Sequence, residues 1–302
     1  MISILIPVYN QDINNLVARL SAGLSHLQGS GEIIVMDDGS TQAFRLINEA
    51  ITKLPFVRYM PLEKNHGRAR IRQLLAAAAA GEWLLFLDGD SEIPSDNFLA
   101  NYYQAITTNT GVIVGGRIYT HNPPQDCNTA LHWKYGTHRE SRLPGKKHQP
   151  AFMTNNFMIQ ARYFKQLTFD TGGEGYGHED TWIGIQLEQN NIPVSYIDNP
   201  VLHAGLETNT IFIAKSENAL INLQKLSGMI PEELLVRHVK LFRVYRRLAK
   251  WQAHWIPIVG YKLMKGYIHR NLQSCNPSLR LFDLYRLQYF IRLQEHYPIS
   301  KK

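Results

Sequence analysis

The sequence predicts an α/β fold: a mostly parallel central sheet with helices on both faces, followed by an α-helical C-terminal extension. Three observations predict it. Short apolar runs without polar alternation recur through the first 120 residues, each closed by a turn and followed by a helical pattern. Strands of that kind are buried on both faces, which helical crossovers provide. Beyond about residue 208 the apolar spacing is helical throughout. Finally, 302 residues with 44% hydrophobic and 19% charged side chains can bury a sizeable core, which excludes collagen-like, disordered and disulfide-scaffold chains.

Ile2–Val8 is the first strand and ends in Pro7-Val8-Tyr9-Asn10. Ile13, Leu16, Val17, Leu20 and Leu24 then share one side of a helix. Glu32–Asp37 is the second strand, closed by Asp38-Gly39-Ser40; a helix over about 42–54 leads to a third strand at Phe56–Met60. Asn65-His66-Gly67 opens a helix running to Ala80, and the fourth strand, Trp83–Leu87, ends directly on Asp88. In open parallel sheets ligands bind beyond the carboxyl ends of the strands. Polar residues follow each of these four ends.

Val112–Tyr119 and Phe152–Gln160 read as further strands, separated by a polar stretch, 121–150, of a length typical of functional lids or mobile loops. A Gly-rich loop, Asp170–Asp180, precedes a helix of about 181–191 and a strand, Val194–Asp198, leading to His203.

Two acidic motifs close strands. Asp88-Gly89-Asp90 places two carboxylates where both can face one crevice and hold a hard divalent cation; the same residues also make a turn. The adjacent acids of Asp37-Asp38-Gly39-Ser40 repel unless a cation or hydrogen-bond donors satisfy them. That segment equally suits a strand-to-helix turn with Ser40 or Thr41 as N-cap.

In order and spacing, Pro7-Val8-Tyr9-Asn10, Asp37-Asp38-Gly39-Ser40, Asn65-x-Gly67 with Arg72, and Gly81-Glu82-Trp83 leading into Asp88-Gly89-Asp90 resemble glycosyltransferase family 2. The resemblance covers roughly residues 1–120 and implies the GT-A fold, with a Rossmann-like half that binds a nucleotide-sugar and a divalent metal, Mn²⁺ or Mg²⁺. It implies that Pro7, Tyr9 and Asp38 lie near the nucleoside base with Asp37 nearby, and that Arg72 lies by the nucleotide. Asp88, Gly89 and Asp90 would then serve the ribose and the diphosphate-bound metal. The family often carries Ala-Arg-Asn where this chain has Ile71-Arg72-Gln73, and Arg68 and Arg70 add charge to the same helix.

Gly172–Asp180 resembles the Gly-Trp-Gly-Gly-Glu-Asp loop of β-1,4-galactosyltransferases and bacterial chondroitin polymerases, with Tyr176 in place of Trp and His178 in place of a Gly. That likeness implies Asp180 as catalytic base with Glu179 beside it, and Tyr176, Gly177 and His178 at the acceptor. Without it, Glu179 and Asp180 are first-turn acids complementing a helix dipole. His203 follows Asp180 by 23 residues, near where related families carry a metal-ligating His, and imidazole suits Mn²⁺. A lone His is also a common structural residue. Asn155-Asn156, Trp133 and the basic 139–148 segment (Arg139, Arg142, Lys146, Lys147, His148) suit acceptor contact or plain solvation equally.

Charge is unevenly spread. Residues 236–302 hold 14 Lys and Arg against 2 Asp and Glu. In 236–252, Leu241, Val244, Tyr245 and Leu248 fall on one helical side, with Arg237, Lys240, Arg243, Arg247 and Lys250 on another. Aromatics, among them Trp251, Trp255, Tyr261 and Tyr267, follow. Such a segment reads as a membrane-surface element or as a helical cap, with nucleic acid the weaker fit. Cys127 and Cys275 stand far apart and predict no metal knuckle and no disulfide framework, which favours a reducing compartment. The opening Met1-Ile-Ser-Ile-Leu-Ile-Pro7 lacks a positive n-region and predicts no leader, so the expected location is cytoplasmic, extending to the inner face of the membrane.

The expectation assembled from these readings is a GT-A domain over 1–210 (nucleotide-sugar half 1–120, acceptor half 121–210) and a basic, aromatic-rich extension over 211–302. Its activity would be inverting transfer of a hexosyl or N-acetylhexosaminyl group, from a UDP-sugar by preference, to a hydroxyl of a saccharide or lipid-linked glycan. Such a role belongs to polysaccharide and cell-envelope synthesis. A sugar hydroxyl is a poor nucleophile and needs a base. The leaving diphosphate gathers charge that a metal can stabilise. Two alternatives stand: a polyprenyl-phosphate sugar synthase, whose ionised acceptor needs no base, and a non-catalytic binding protein derived from the fold.

Overall fold

The computed structural model describes residues 1–27, 31–141, 152–169 and 177–296. The apolar runs become strands because each side chain finds cover on both faces. β1 (Ile2–Val8) pairs in parallel with β2 (Gly31–Asp37) and β4 (Trp83–Leu87), which sets Ile4 opposite both Ile33 and Leu85. β3 (Val57–Pro61) extends the sheet beyond β2. The crossovers are α1 (Asn14–His26), α2 (Gln42–Asn48) with a 3₁₀ turn, and α3 (Gly67–Ala78). On one face Ile4 and Ile6 pack with Leu16, Val17, Leu20 and Leu24 of α1. On the other, Phe86 stacks on Phe157 and Phe164 at 5.0 and 5.1 Å. Truncating any one of these buried groups to Ala should cost about 2–5 kcal/mol.

Past β4 come β5 (Ser91–Glu92), α4 (Phe98–Gln104), β6 (Val112–Val114) and β7 (Arg117–Ile118). Then follow α5 (Ala130–Tyr135), β8 (Asn156–Gln160), α6 (Ala161–Phe164), α7 (Glu179–Gln189), β9 (Val194–Tyr196) and β10 (Val201–His203). The large sheet has the order β3-β2-β1-β4-β8-β6-β9, with β8 antiparallel to both neighbours; a small sheet has the order β5-β10-β7. The single strand expected over Val112–Tyr119 is therefore two strands in two sheets. Gly115-Gly116 makes the break: a Cβ at Gly115 would stand 2.5 Å from the Tyr102 hydroxyl and from the Asn156 amide. The short strand β10 was not expected, because three residues carry no periodic signal.

The chain forms two compact units. The first comprises 1–119, 140–170 and 186–205, and holds both sheets; the second comprises 120–139, 171–185 and 206–302. The second is helical, with α8 (Asn209–Ser227), α9 (Glu232–His238), α10 (Lys240–Lys250), α11 (Trp255–Leu272) and α12 (Leu279–His296). Leu220, Leu223, Leu226, Phe242 and Phe290 form one of its cores, and Leu131, Ile268, Leu272 and Phe282 another. Leu241 and Tyr245 of α10 pack on the first core, so part of the apolar stripe read in 236–252 is covered within the unit. Cys127 and Cys275 are joined in a disulfide. The bridge runs against the expectation of no disulfide framework and removes the argument for a reducing compartment drawn from it. The fold closes a separation of 148 residues that spacing along the chain cannot reveal.

Candidate active site

The carboxyl ends of β1, β2 and β4 bring three motifs together in the first unit. Asp37 closes β2 fully buried: its Oδ1 accepts from the Ser40 amide at 2.7 Å and its Oδ2 from the Tyr59 hydroxyl at 2.7 Å. Burial, with the Asp37 carboxylate, pushes the Tyr59 hydroxyl well above its ordinary pKa. Asp38 accepts from the His66 and Gly67 amides at 2.7 and 2.9 Å, tying the loop to the start of α3. Gly39, next after Asp38, has φ +80°, and a Cβ there would lie 2.6 Å from the Lys64 carbonyl carbon. The repulsion expected between the adjacent acids is thus relieved by hydrogen-bond donors. Pro7, the last residue but one of β1, lies beside the Asp88-Gly89 turn, since a Cβ on Gly89 would lie 3.3 Å from the Pro7 carbonyl; Tyr9 is exposed.

Asp88 is held between two arginines. The Arg72 guanidinium, buried under α3, donates to Asp88 Oδ1 at 2.9 Å, and Arg117 lies 3.7 Å from Oδ2. Arg117 also meets Glu140 at 3.2 Å. Burial works against the Arg117 charge, but Glu140, Tyr119 and Asp88 outweigh it and raise its pKa. Asn155 accepts from the Asp88 amide at 3.1 Å through its backbone carbonyl, while its own buried side-chain amide has no partner on either atom among the described residues. Asn156, by contrast, is fully engaged: it accepts from Tyr102 and donates to the Gly116 and Asn199 carbonyls.

Asp90 faces a different neighbour. The small sheet pairs Ser91 with His203, which brings His203 Nδ1 to 3.4 Å from Asp90 Oδ2. Burial pushes the Asp90 carboxyl up, but His203, Arg117 and Arg68 outweigh it and hold it below the usual carboxylate range. Asp90 Oδ1 is buried without a hydrogen-bond partner among the described residues. A bare anionic oxygen of that kind costs about 1–3 kcal/mol or more, a cost that a bound cation removes. Carboxylate and imidazole together fit a divalent cation such as Mn²⁺. Among the described residues no cluster of three or more His, Cys, Asp or Glu is present, and Asp90 and His203 are the pair that would meet such an ion.

The loop residues belong to the second unit. Tyr176 lies outside the described residues, as do Arg142, Lys146, Lys147 and His148. The Gly177 amide donates to Glu179 at 3.0 Å, so Glu179 folds back on its own loop. His178 pairs with the Thr181 hydroxyl at 3.1 Å, and burial, aided by Arg286, pushes its pKa down to about 4. Asp180 is half-buried in the first turn of α7. Arg139 pairs with Asp283 at 2.7 Å and Trp133 donates to the Thr120 carbonyl.

Arg117 and Glu140 escaped the sequence reading. A charged residue inside the apolar stretch 112–119 was the available signal, since a buried arginine requires a carboxylate.

The family model for glycosyl transferase family 2 matches residues 3–168. An uncharacterized glycosyltransferase of Haemophilus influenzae is 35% identical over 97 residues, 32% of this chain and 38% of that protein. The undecaprenyl-phosphate 4-deoxy-4-formamido-L-arabinose transferase of Pseudomonas fluorescens is 32% identical over 100 residues, 32% of this chain and 29% of its own length. A Rickettsia felis glycosyltransferase, 35% identical over 89 residues that make up 30% of this chain, is spanned over only 14% of its length. Among solved structures, the mannosyltransferase PcManGT of Pyrobaculum calidifontis, in complex with GDP-Man and Mn²⁺, aligns with a TM-score of 0.56 at 13% identity. That alignment covers 98% of this chain and 87% of PcManGT, and identifies the fold as GT-A. By its sheet order, its strand-end acids and the model match over more than half its length, the chain belongs to glycosyl transferase family 2.

Proposed function

We propose that the protein transfers a sugar from a nucleotide-sugar donor to a hydroxyl of a saccharide or lipid-linked glycan, by one displacement with inversion. The observation that carries this is the buried, unpartnered Oδ1 of Asp90 beside His203. Asp90 and His203 would hold a divalent ion, Mn²⁺ or Mg²⁺, whose charge, when bound, stabilises the departing nucleoside diphosphate. The structural neighbour PcManGT was solved with GDP-Man and Mn²⁺, which supports that reading. Arg72 and Arg117 fix Asp88 in one orientation, so that it can meet the ribose without searching. The unpartnered Asn155 amide offers a donor and an acceptor for the sugar or diphosphate. Pro7, Tyr9 and Asp38 stand for the base, and Gly177 and His178 for the acceptor side. Asp180, at the start of α7, takes the proton of the attacking hydroxyl as the new bond forms.

The test is nucleotide release from UDP-, GDP- and dTDP-sugars with Mn²⁺, Mg²⁺ or EDTA. One donor should be hydrolysed slowly in a metal-dependent way, and Asp90→Asn should reduce it about a hundredfold. If no donor is turned over and none binds with metal present, the reading fails.

The match to an undecaprenyl-phosphate sugar transferase favours a second reading, with a polyprenyl phosphate as acceptor. An ionised phosphate oxygen needs no base, so Asp180→Asn would then leave transfer intact.

A further inference from the structure

We propose that the outward face of α11 docks on an anionic lipid bilayer, lying along its surface. Large exposed apolar side chains concentrate in one stretch of the second unit, which includes Trp251, Trp255, Ile256, Val259, Leu263 and Tyr267. Leu263 is 81% exposed and Trp251 73%. Scattered apolar residues on a surface are ordinary, whereas a contiguous set marks a partner. Trp255, Val259, Leu263 and Tyr267 recur at four-residue spacing and form one stripe. Tyr261, Ile268 and Leu272 of the same helix turn the other way, into the unit's own core. The helix thus has two apolar faces, one packed and one bare. A Cβ added at Gly260 or Gly266 would meet no atom of the described residues within 4 Å, so none of them covers the helix at those two points.

The chemistry of the stripe selects lipid. Tryptophan and tyrosine favour the headgroup level of a bilayer, and here they stand near both ends of the stripe. Lys250, Lys262, Lys265 and Arg270 accompany it, and 251–272 contains neither Asp nor Glu. An apolar stripe accompanied by charge of one sign complements a surface that is apolar within and anionic at its rim. Beside α11, Lys265 and Arg292 line a groove of about 630 Å³ with Glu217, Tyr285 and Tyr289. The Tyr285 hydroxyl donates to Glu217, which blunts that carboxylate and favours a headgroup phosphate at the two cations. No described helix is long and apolar enough to cross a membrane, which suits contact along the surface.

This inference goes beyond the transferase reading and is tested without donor or acceptor. The full chain is sedimented with vesicles of phosphatidylglycerol mixed with phosphatidylcholine, and with phosphatidylcholine alone. The expected result is binding to the anionic vesicles at least about tenfold above the neutral ones. The double variant Trp255→Ser/Leu263→Ser should lower that binding by about tenfold or more. Lys262→Glu/Lys265→Glu should remove the preference for anionic lipid. All four side chains are exposed, so thermal midpoints should stay unchanged in both variants. The proposal is overturned if the wild type stays in the supernatant, or if the Ser variant sediments as well as the wild type. It is also overturned if light scattering shows a dimer that the Ser variant dissociates, since the stripe would then belong to a second copy.

Discussion

His203 Nδ1 lies 3.4 Å from Asp90 Oδ2, although 112 residues separate the two along the chain. The contact is made by the small sheet, in which Ser91 of β5 faces His203 of β10. Two pairings of two residues each therefore position the residues on which the proposed chemistry depends.

Asp90 and His203 should matter for turnover far more than for stability. Asp90→Asn and His203→Ala are expected to lower donor hydrolysis by about two orders of magnitude. EDTA should bring the wild type to the same level. Oδ1 of Asp90 has no partner to lose and only Oδ2 faces His203, so Asp90→Asn should cost less in urea unfolding than Asp88→Asn. Titration of Mn²⁺ followed by electron paramagnetic resonance should show weaker binding in both variants. Unchanged Mn²⁺ binding would remove these residues from the metal site.

Asp88 should behave in the opposite manner, although it is only two residues away. It neutralises Arg72 at 2.9 Å and faces Arg117 at 3.7 Å, both largely out of solvent. Asp88→Asn leaves buried guanidinium charge uncompensated and should cost about 3–5 kcal/mol in urea unfolding. If Asp88→Asn proves as stable as Asp90→Asn, the anchoring role is wrong.

Replacing the proposed base separates the two acceptor chemistries. Asp180→Asn should reduce transfer to a saccharide hydroxyl by about 10²–10⁴-fold. Donor affinity, measured by calorimetry, should be unchanged. Full transfer by this variant to a polyprenyl phosphate would establish the second reading instead.

His178 makes stability depend on pH. Its pKa is about 4 in the folded chain against an ordinary 6.5, so between those values the unfolded chain binds a proton that the folded one refuses. Stability should therefore fall as pH drops from 6.5 towards 4, with no further loss from this group below 4. Denaturant unfolding at a series of pH values checks it: His178→Gln should flatten that part of the curve, and an unchanged slope would contradict the assignment.

The disulfide between Cys127 and Cys275 closes 148 residues. Cys127→Ser/Cys275→Ser should lower stability by about 2–4 kcal/mol, and dithiothreitol should do the same to the wild type. Equal midpoints with and without reductant would show the bridge to be dispensable.

Local patterns determined the first half of the molecule. Ile2–Val8, Glu32–Asp37 and Trp83–Leu87 are legible as strands because side chains buried on both faces leave an unbroken apolar run. Asp37 and Asp88 are legible as strand-end acids because the run stops at or next to each of them, and Asp90 because it follows Asp88 by two residues. Tertiary structure alone decided what each acid meets. Asp37 is spent on Ser40 and Tyr59, Asp88 on two arginines, and Asp90 meets His203 through Oδ2 and leaves Oδ1 unpartnered among the described residues. The break at Gly115-Gly116, the Arg117–Glu140 pair and the Cys127–Cys275 bridge likewise depend on chain crossings that local periodicity does not encode. Periodicity reports which face of an element is buried, whereas partners distant in sequence are chosen only when the elements pack.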